Sequence, residues 1–235
     1  MSHSDTGPVV VTGGSRGIGA ATVLALTRAG RPVAFSYASN DRAARVSAEG
    51  GRALAIRGDV TDMAAIEDLF KGCEREFGRP TGVFANAGIT GPAGRFETLP
   101  PETLRRVLDV NVTGAGMTVQ AATRAMSTAH GGSGGAIVMM SSRAAALGGG
   151  NEWIQYAASK GAINSMTVGF AKELGGDGIR VNAVAPGLID TEIHAAAGLA
   201  DRLQTKAKDV PLGRIGTADE VAEAVKWLLS DAASY

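Results

Sequence analysis

Short apolar runs alternate with longer stretches of helical patterning along almost the whole chain. The β-like runs fall at residues 8–11, 32–37, 52–56, 82–85, 136–140 and 179–184, and each is bounded by glycine, proline or polar residues. Alternation of this kind predicts parallel strands joined by right-handed helical crossovers, because a parallel pair needs a long connection and a helix supplies it. We therefore expect an α/β protein: one doubly wound parallel sheet with helices on both faces. Ligands of such sheets sit at the carboxyl ends of the strands. The glycine-rich segment 130–135 is too short to be more than a loop, so we expect one domain over residues 1–235.

The first run, Val9-Val10-Val11, flows into Thr12-Gly13-Gly14-Ser15-Arg16-Gly17-Ile18-Gly19 and then into a helical pattern. Strand, glycine turn and helix make a phosphate cradle: glycines let the backbone approach a pyrophosphate, and the amides and dipole of the helix start attract its charge. Further along, Tyr156 and Lys160 are four residues apart in a helical segment, so both project from one face. An ammonium beside a phenol favours the phenolate and should lower a value that ordinarily lies near ~10. The pair is a candidate general acid/base.

Composition narrows the function classes. Of 235 residues 45% are hydrophobic, enough for one substantial core. Lys plus Arg and Asp plus Glu are 23 each, which gives no pull toward nucleic acid or an anionic membrane. The single cysteine, Cys73, excludes an internal disulfide and suits a reducing compartment. Residues 1–7 lack the apolar core of a signal peptide and no apolar stretch is long enough to span a bilayer, so a soluble cytoplasmic protein is expected. His3, His130 and His194 form no ligand-spaced cluster, and no metal is expected.

Taken in order, the glycine turn from Thr12 to Gly19, Asp59-Val60, Asn86-Ala87-Gly88, Asn111, Ser141-Ser142, Tyr156 with Lys160, and Pro186-Gly187 make the chain resemble the classical short-chain dehydrogenase/reductase family over nearly its full length. That resemblance implies a Rossmann fold, a nicotinamide cofactor and a small carbonyl or alcohol substrate. It implies that Tyr156 trades a proton with the substrate oxygen, that Lys160 lowers the tyrosine's pKa and binds the nicotinamide ribose, and that Ser142 hydrogen-bonds the oxygen where charge changes. Asn111 would hold a water that links Lys160 to solvent. Gly13, Ser15, Arg16, Gly17, Ile18 and Gly19 would cradle the phosphates, Tyr37, Ser39 and Asn40 would meet the adenosine ribose, and Asp59 and Val60 would bracket the adenine. Asn86, Ala87 and Gly88 would line the cofactor's path, with Pro186, Gly187, Ile189 and Thr191 at its nicotinamide end. A homotetramer is also implied, with the helix of Tyr156 and Lys160 packed on its copy through 161–166 or, alternatively, turned only toward its own core.

No carboxylate stands at the end of the second run, 36–40, before Asp41, while Arg16 and Arg42 could pair with a 2′-phosphate. NADP(H) is favoured and NAD(H) stays open. Two features depart from the family pattern. Ser142 lies fourteen residues before Tyr156, one more than is usual; Arg143 stands at the usual offset, and the 148–151 loop would absorb the extra residue. Ser142 is assigned, with Ser141 as the second candidate, and Arg143 faces substrate or solvent. After a helix read at 219–230 the chain ends without the family's last strand. The segment from Leu188 to Leu199 occupies the place of a substrate lid but does not select among an alcohol, a sugar, a steroid or an acyl chain. A 3-oxoacyl-thioester reductase, a sugar dehydrogenase and a non-catalytic NADP-binding sensor are the alternatives.

Overall fold

The computed structural model of the chain describes residues 6–38, 46, 49, 51–199 and 202–235. Six strands, β1 (Val9–Val11), β2 (Val33–Tyr37), β3 (Ala53–Arg57), β4 (Gly82–Ala85), β5 (Gly135–Met140) and β6 (Ile179–Val184), form one sheet in the order β3-β2-β1-β4-β5-β6. All neighbours are parallel, with Val10 of β1 opposite Ala34 on one side and Val83 on the other. The strands coincide with the six apolar runs of the sequence to within one or two residues at their ends.

Both faces of the sheet are dry, which is why β1 is apolar without alternation. Val10 points into one core with Val83 and Ile137, covered by α2 (Met63–Phe77), α4 (Gly114–Met126) and α6 (Ile154–Leu174); Val9 and Val11 point into the other with Phe35 and Phe84, covered by α1 (Gly17–Arg28) and α9 (Ala218–Leu228). Phe35 and Phe84 are fully buried, each contributing about 2–3 kcal/mol of burial free energy. Cys73 belongs to the first core, and burial, helped by Glu74, pushes its thiol up to about 12, so it is a packing residue. Arg31, also buried, ties the termini of the sheet layer together by donating to the carbonyls of Gly7 and Leu229 at 3.0 and 2.9 Å.

The strand order reverses between β1 and β4, and the crevice at that switch point is where a ligand of such a sheet enters. The helical segment after Pro100 is not regular: α3 (Pro101–Leu108) runs into a π-helical turn (Asp109–Thr113) and only then into α4. Helix α9 ends two residues earlier than read, at Leu228, and begins at a capping box between Thr217 and Glu220. Among the described residues no helix is long and apolar enough to cross a membrane, and no group of three or more His, Cys, Asp or Glu could hold a metal.

Candidate active site

The glycine turn follows directly from the meeting of β1 and β4. The Thr12 amide donates to the Phe84 carbonyl at 3.0 Å, and the Thr12 hydroxyl accepts from the amides of Asn86 and Ala87 at 3.0 and 3.2 Å. In return the Asn86 side-chain amide donates to the carbonyls of Thr12 and Gly13 at 2.9 and 3.1 Å. Asn86 therefore braces the turn as well as lining the crevice. Gly13 stands at φ +69°, a left-handed conformation that other residues adopt at a cost. A Cβ at Gly19 would lie 2.2 Å from the Gly13 carbonyl oxygen, so α1 can start this close to the strand only with glycine there. Arg16, the N-cap of α1, makes no side-chain cap, which leaves the first amides of the helix free for a ligand.

Above the turn opens a cleft of about 1250 Å³. That exceeds the space one small ligand fills and suits a dinucleotide plus a substrate. Gly13, Ser15, Arg16, Gly17, Ile18 and Gly19 form its floor, with Tyr37 beyond them at the end of β2. Asp59 and Val60 stand at the end of β3, and Asn86, Ala87 and Gly88 after β4. Pro186, Gly187, Ile189 and Thr191 come from the segment after β6, which folds back over the turn: Ile189 bridges Gly216, and Thr191 lies against Gly17. Ser39, Asn40, Asp41 and Arg42 fall outside the described residues, as does the His194 side chain. Arg57 reaches the end of β2 instead, donating to the Ala38 carbonyl at 3.3 Å.

Asp59 is more than a turn residue. Its carboxylate accepts from the amide and hydroxyl of Thr61 at 3.0 and 2.9 Å and is ion-paired with Arg106 at 2.6 Å; helix α2 is capped by Asp62. Burial alone would raise the carboxyl, but the Arg106 and Thr61 hydrogen bonds outweigh it and hold the group below the usual carboxylate range.

Helix α6 delivers Tyr156 and Lys160 to the opposite wall. The Lys160 ammonium lies 5.5 Å from the centroid of the Tyr156 ring and donates to the Met140 carbonyl at the end of β5 at 2.7 Å. Lys160 is not among the influences that set the phenol in this structure. Burial raises the Tyr156 pKa, and the opposing influence is a hydrogen bond with Ser142. Lys160 is itself 2% exposed, and burial pushes it down to about 8. The ligand-free pair thus favours a neutral phenol and a weakened ammonium.

A stability test follows from the lysine. With a folded value of about 8 against 10.5 unfolded, both states are protonated below 8 and the fold carries the full cost of burying the charge. Between those values the unfolded chain holds more protons, so stability rises with pH. Measured by denaturant unfolding, wild type is expected to gain about 3 kcal/mol on Lys160→Met between about pH 7 and 10.5. A difference that stays constant with pH would mean that the ammonium is solvated.

The two serines after β5 are separated by their partners. Ser141, 1% exposed, donates to the Asn164 side chain and the Lys160 carbonyl, so it fastens β5 to α6. Ser142 faces the cleft with Tyr156, where it favours the ionised phenol, and its oxygen accepts from the Ala144 amide at 3.1 Å. In the loop after a short helix, α5 (Ala144–Leu147), Asn151 adopts φ 61° and the amides of Glu152 and Trp153 both donate to the Gly149 carbonyl. Arg143 is exposed on the cleft wall.

Asn111 lies behind that wall in the π-helical turn. Its side chain accepts from the Ile89 amide at 2.8 Å and donates to the Ile89 carbonyl and the Ser159 hydroxyl at 2.8 and 2.9 Å. This couples the segment after β4 to the turn of α6 between Tyr156 and Lys160.

Several lining residues escaped the sequence reading. Arg106 lies five residues before Asn111 and one helical turn before Val110, spacing that could have placed it on the same face. Arg202 of α8 (Arg202–Lys206) pairs with Glu152 at 2.7 Å and stacks 4.8 Å over Trp153, which is edge-on to Tyr156. Its distance in sequence from its partners left no signal.

This arrangement has close counterparts among known proteins. A family model described as enoyl-(acyl carrier protein) reductase matches residues 13–235. The uncharacterized oxidoreductase YgfF of Escherichia coli K12 is 42% identical over 96% of this chain and 94% of its own length. An L-rhamnose 1-dehydrogenase (NAD(P)+) of Sphingomonas sp. strain SKA58 is 37% identical over 97% and 90%. A crystal structure of a short-chain type dehydrogenase/reductase from Mycobacterium marinum superposes with TM-score 0.90 at 34% identity, covering 99% of this chain and 93% of that one. A doubly wound sheet, a braced glycine turn and a tyrosine–lysine helix facing it across one cleft thus come together with full-length similarity, and the chain belongs to the short-chain dehydrogenase/reductase family of oxidoreductases.

Proposed function

We propose that the protein is an NADP(H)-dependent oxidoreductase that interconverts a small carbonyl compound and its secondary alcohol, with Tyr156 as general acid/base. The observation that carries this reading is the Tyr156 hydroxyl, which shares with Ser142 and Lys160 the wall of the cleft that the glycine turn floors. The nicotinamide supplies or takes up the hydride when bound. The open amides at the start of α1 suit a pyrophosphate, Lys160 suits a ribose hydroxyl, and Ser142 is preorganised to donate to the substrate oxygen as negative charge develops on it. Because burial keeps the phenol protonated, Tyr156 gives its proton to a carbonyl oxygen directly and must first be deprotonated to take one from an alcohol.

Exposed Arg16 on the floor of the cleft and Arg57 beside the end of β2 favour NADP(H) over NAD(H), since each can meet a 2′-phosphate. The relative that oxidises L-rhamnose is named for both cofactors, and a sugar dehydrogenase or a 3-oxoacyl-thioester reductase fits the same site. We also place the protein in the cytoplasm as a homotetramer; Val168 on α6 is 56% exposed and a Cβ at Gly161 or Gly169 would touch nothing, so that helix has a bare face for a copy. Nicotinamide-fluorescence titration tests the cofactor reading: NADPH is expected to bind at least about tenfold more tightly than NADH, and Arg16→Ala to erase most of that preference. Equal affinity for both in wild type would overturn it.

A further inference from the structure

Three segments far apart in sequence meet beside Tyr156. The Ala93 amide donates to the Ala197 carbonyl at 3.3 Å, and the Gly94 amide to the Glu152 carbonyl at 3.0 Å. Arg202 completes the junction: its Nη2 and Nε both donate to Glu152 Oε2, at 2.7 and 3.2 Å, and its guanidinium carbon stands over the Trp153 indole, 4.8 Å from the ring centroid. The indole is buried and meets the Tyr156 ring edge-on. A chain of contacts therefore runs from α8 through Trp153 to the phenol, and all four residues line the cleft.

This is not an ordinary surface ion pair. The Arg202 and Glu152 side chains are 20% and 30% exposed, against 66% and 41% for Lys71 and Glu67 on α2. Glu152 is a fixed point, since its amide is bonded to the Gly149 carbonyl and its carbonyl to the Gly94 amide. Trp153 stands before the first turn of α6 at a non-helical φ of −144°, so the helix does not fix its ring, and Arg202 does. We propose that Arg202 is a positioning residue for proton transfer: clamped by Glu152, it fixes the Trp153 indole, whose contact with Tyr156 sets the direction of the phenol. The proposal rests on the reading of Tyr156 as the general acid/base. The role needs a planar cation, because an ammonium can pair with Glu152 but has no plane to lay on the indole.

The test compares wild type, Arg202→Met and Arg202→Lys in the reduction of ethyl acetoacetate by NADPH, and follows the Tyr156 ring by NMR in protein carrying isotope-labelled tyrosine. The chain has three tyrosines, so Tyr156→Phe assigns the resonance. Arg202→Met is expected to lower kcat about tenfold, to leave KM and NADPH affinity within about twofold, and to shift or broaden the Tyr156 resonance; Arg202→Lys should recover little of the loss. A raised KM with unchanged kcat in Arg202→Met would make Arg202 a substrate contact and overturn the proposal, as would full recovery in Arg202→Lys. If wild type leaves ethyl acetoacetate untouched, an unmoved Tyr156 resonance in Arg202→Met overturns it alone. Full activity in Tyr156→Phe would instead remove the acid/base reading, whatever Arg202 does to the ring.

Discussion

Replacing Tyr156 by phenylalanine is expected to lower kcat for carbonyl reduction about a thousandfold while NADPH affinity changes less than about threefold. The ring keeps its place, since it packs edge-on against Trp153 with centroids 6.4 Å apart at 71°, and only the hydroxyl is lost. The pH dependence gives a second readout. With burial raising the phenol above its ordinary value, the phenolate is the minor form near neutrality, so wild-type alcohol oxidation should climb as pH rises and the reduction should stay flat. Steady-state kinetics in both directions decide the matter. Residual activity within tenfold of wild type, or an oxidation rate independent of pH, would remove Tyr156 from the acid/base role.

Gly19→Ala is expected to have the largest structural effect of any single methyl group in the site. Alanine is the better helix former by about 1 kcal/mol, so propensity alone predicts stabilisation. Geometry overrides it: the new carbon would lie 2.2 Å from the Gly13 carbonyl oxygen and 2.6 Å from the Asn86 amide nitrogen, a backbone atom and a side chain already bonded to it. To relieve the clash the turn must move off α1, at a cost of about 3 kcal/mol or more, and NADPH binding should weaken at least about a hundredfold. Gly169→Ala is the control, because a Cβ there meets nothing within 4 Å and the same substitution should stabilise α6 by up to about 1 kcal/mol. Denaturant midpoints for both variants read the difference directly; equal behaviour of the two would refute the close-approach argument.

The fold was legible because its determinants are local. Each strand is a short apolar run between turn residues, and a strand buried on both faces carries no polar position to blur the pattern. The glycine turn and the Tyr156–Lys160 spacing were readable for the same reason, as each lies within one element and its neighbour. The π-helical turn at Asn111 was not, since nothing in 109–113 breaks helical patterning; the insertion serves contacts with Ile89 and Ser159, far away in sequence. Likewise, which of two adjacent serines meets Tyr156 depends on how β5 seats against α6.

By itself, the sequence determined the order of strands and helices, the cradle after β1, and the residue types that carry proton transfer, because periodicity and spacing act over one or two turns of chain. Only the tertiary structure decided the protonation preferences and the partners. Lys160 is weakened and Tyr156 strengthened as bases of opposite charge type because both are taken out of water by elements distant in sequence, and desolvation depends on what surrounds a group in space. Arg106 meets Asp59 across 47 residues for the same reason: a contact between the loop after β3 and the helix before the π-helical turn exists only once the parallel sheet has aligned the carboxyl ends of β3 and β4 along one edge.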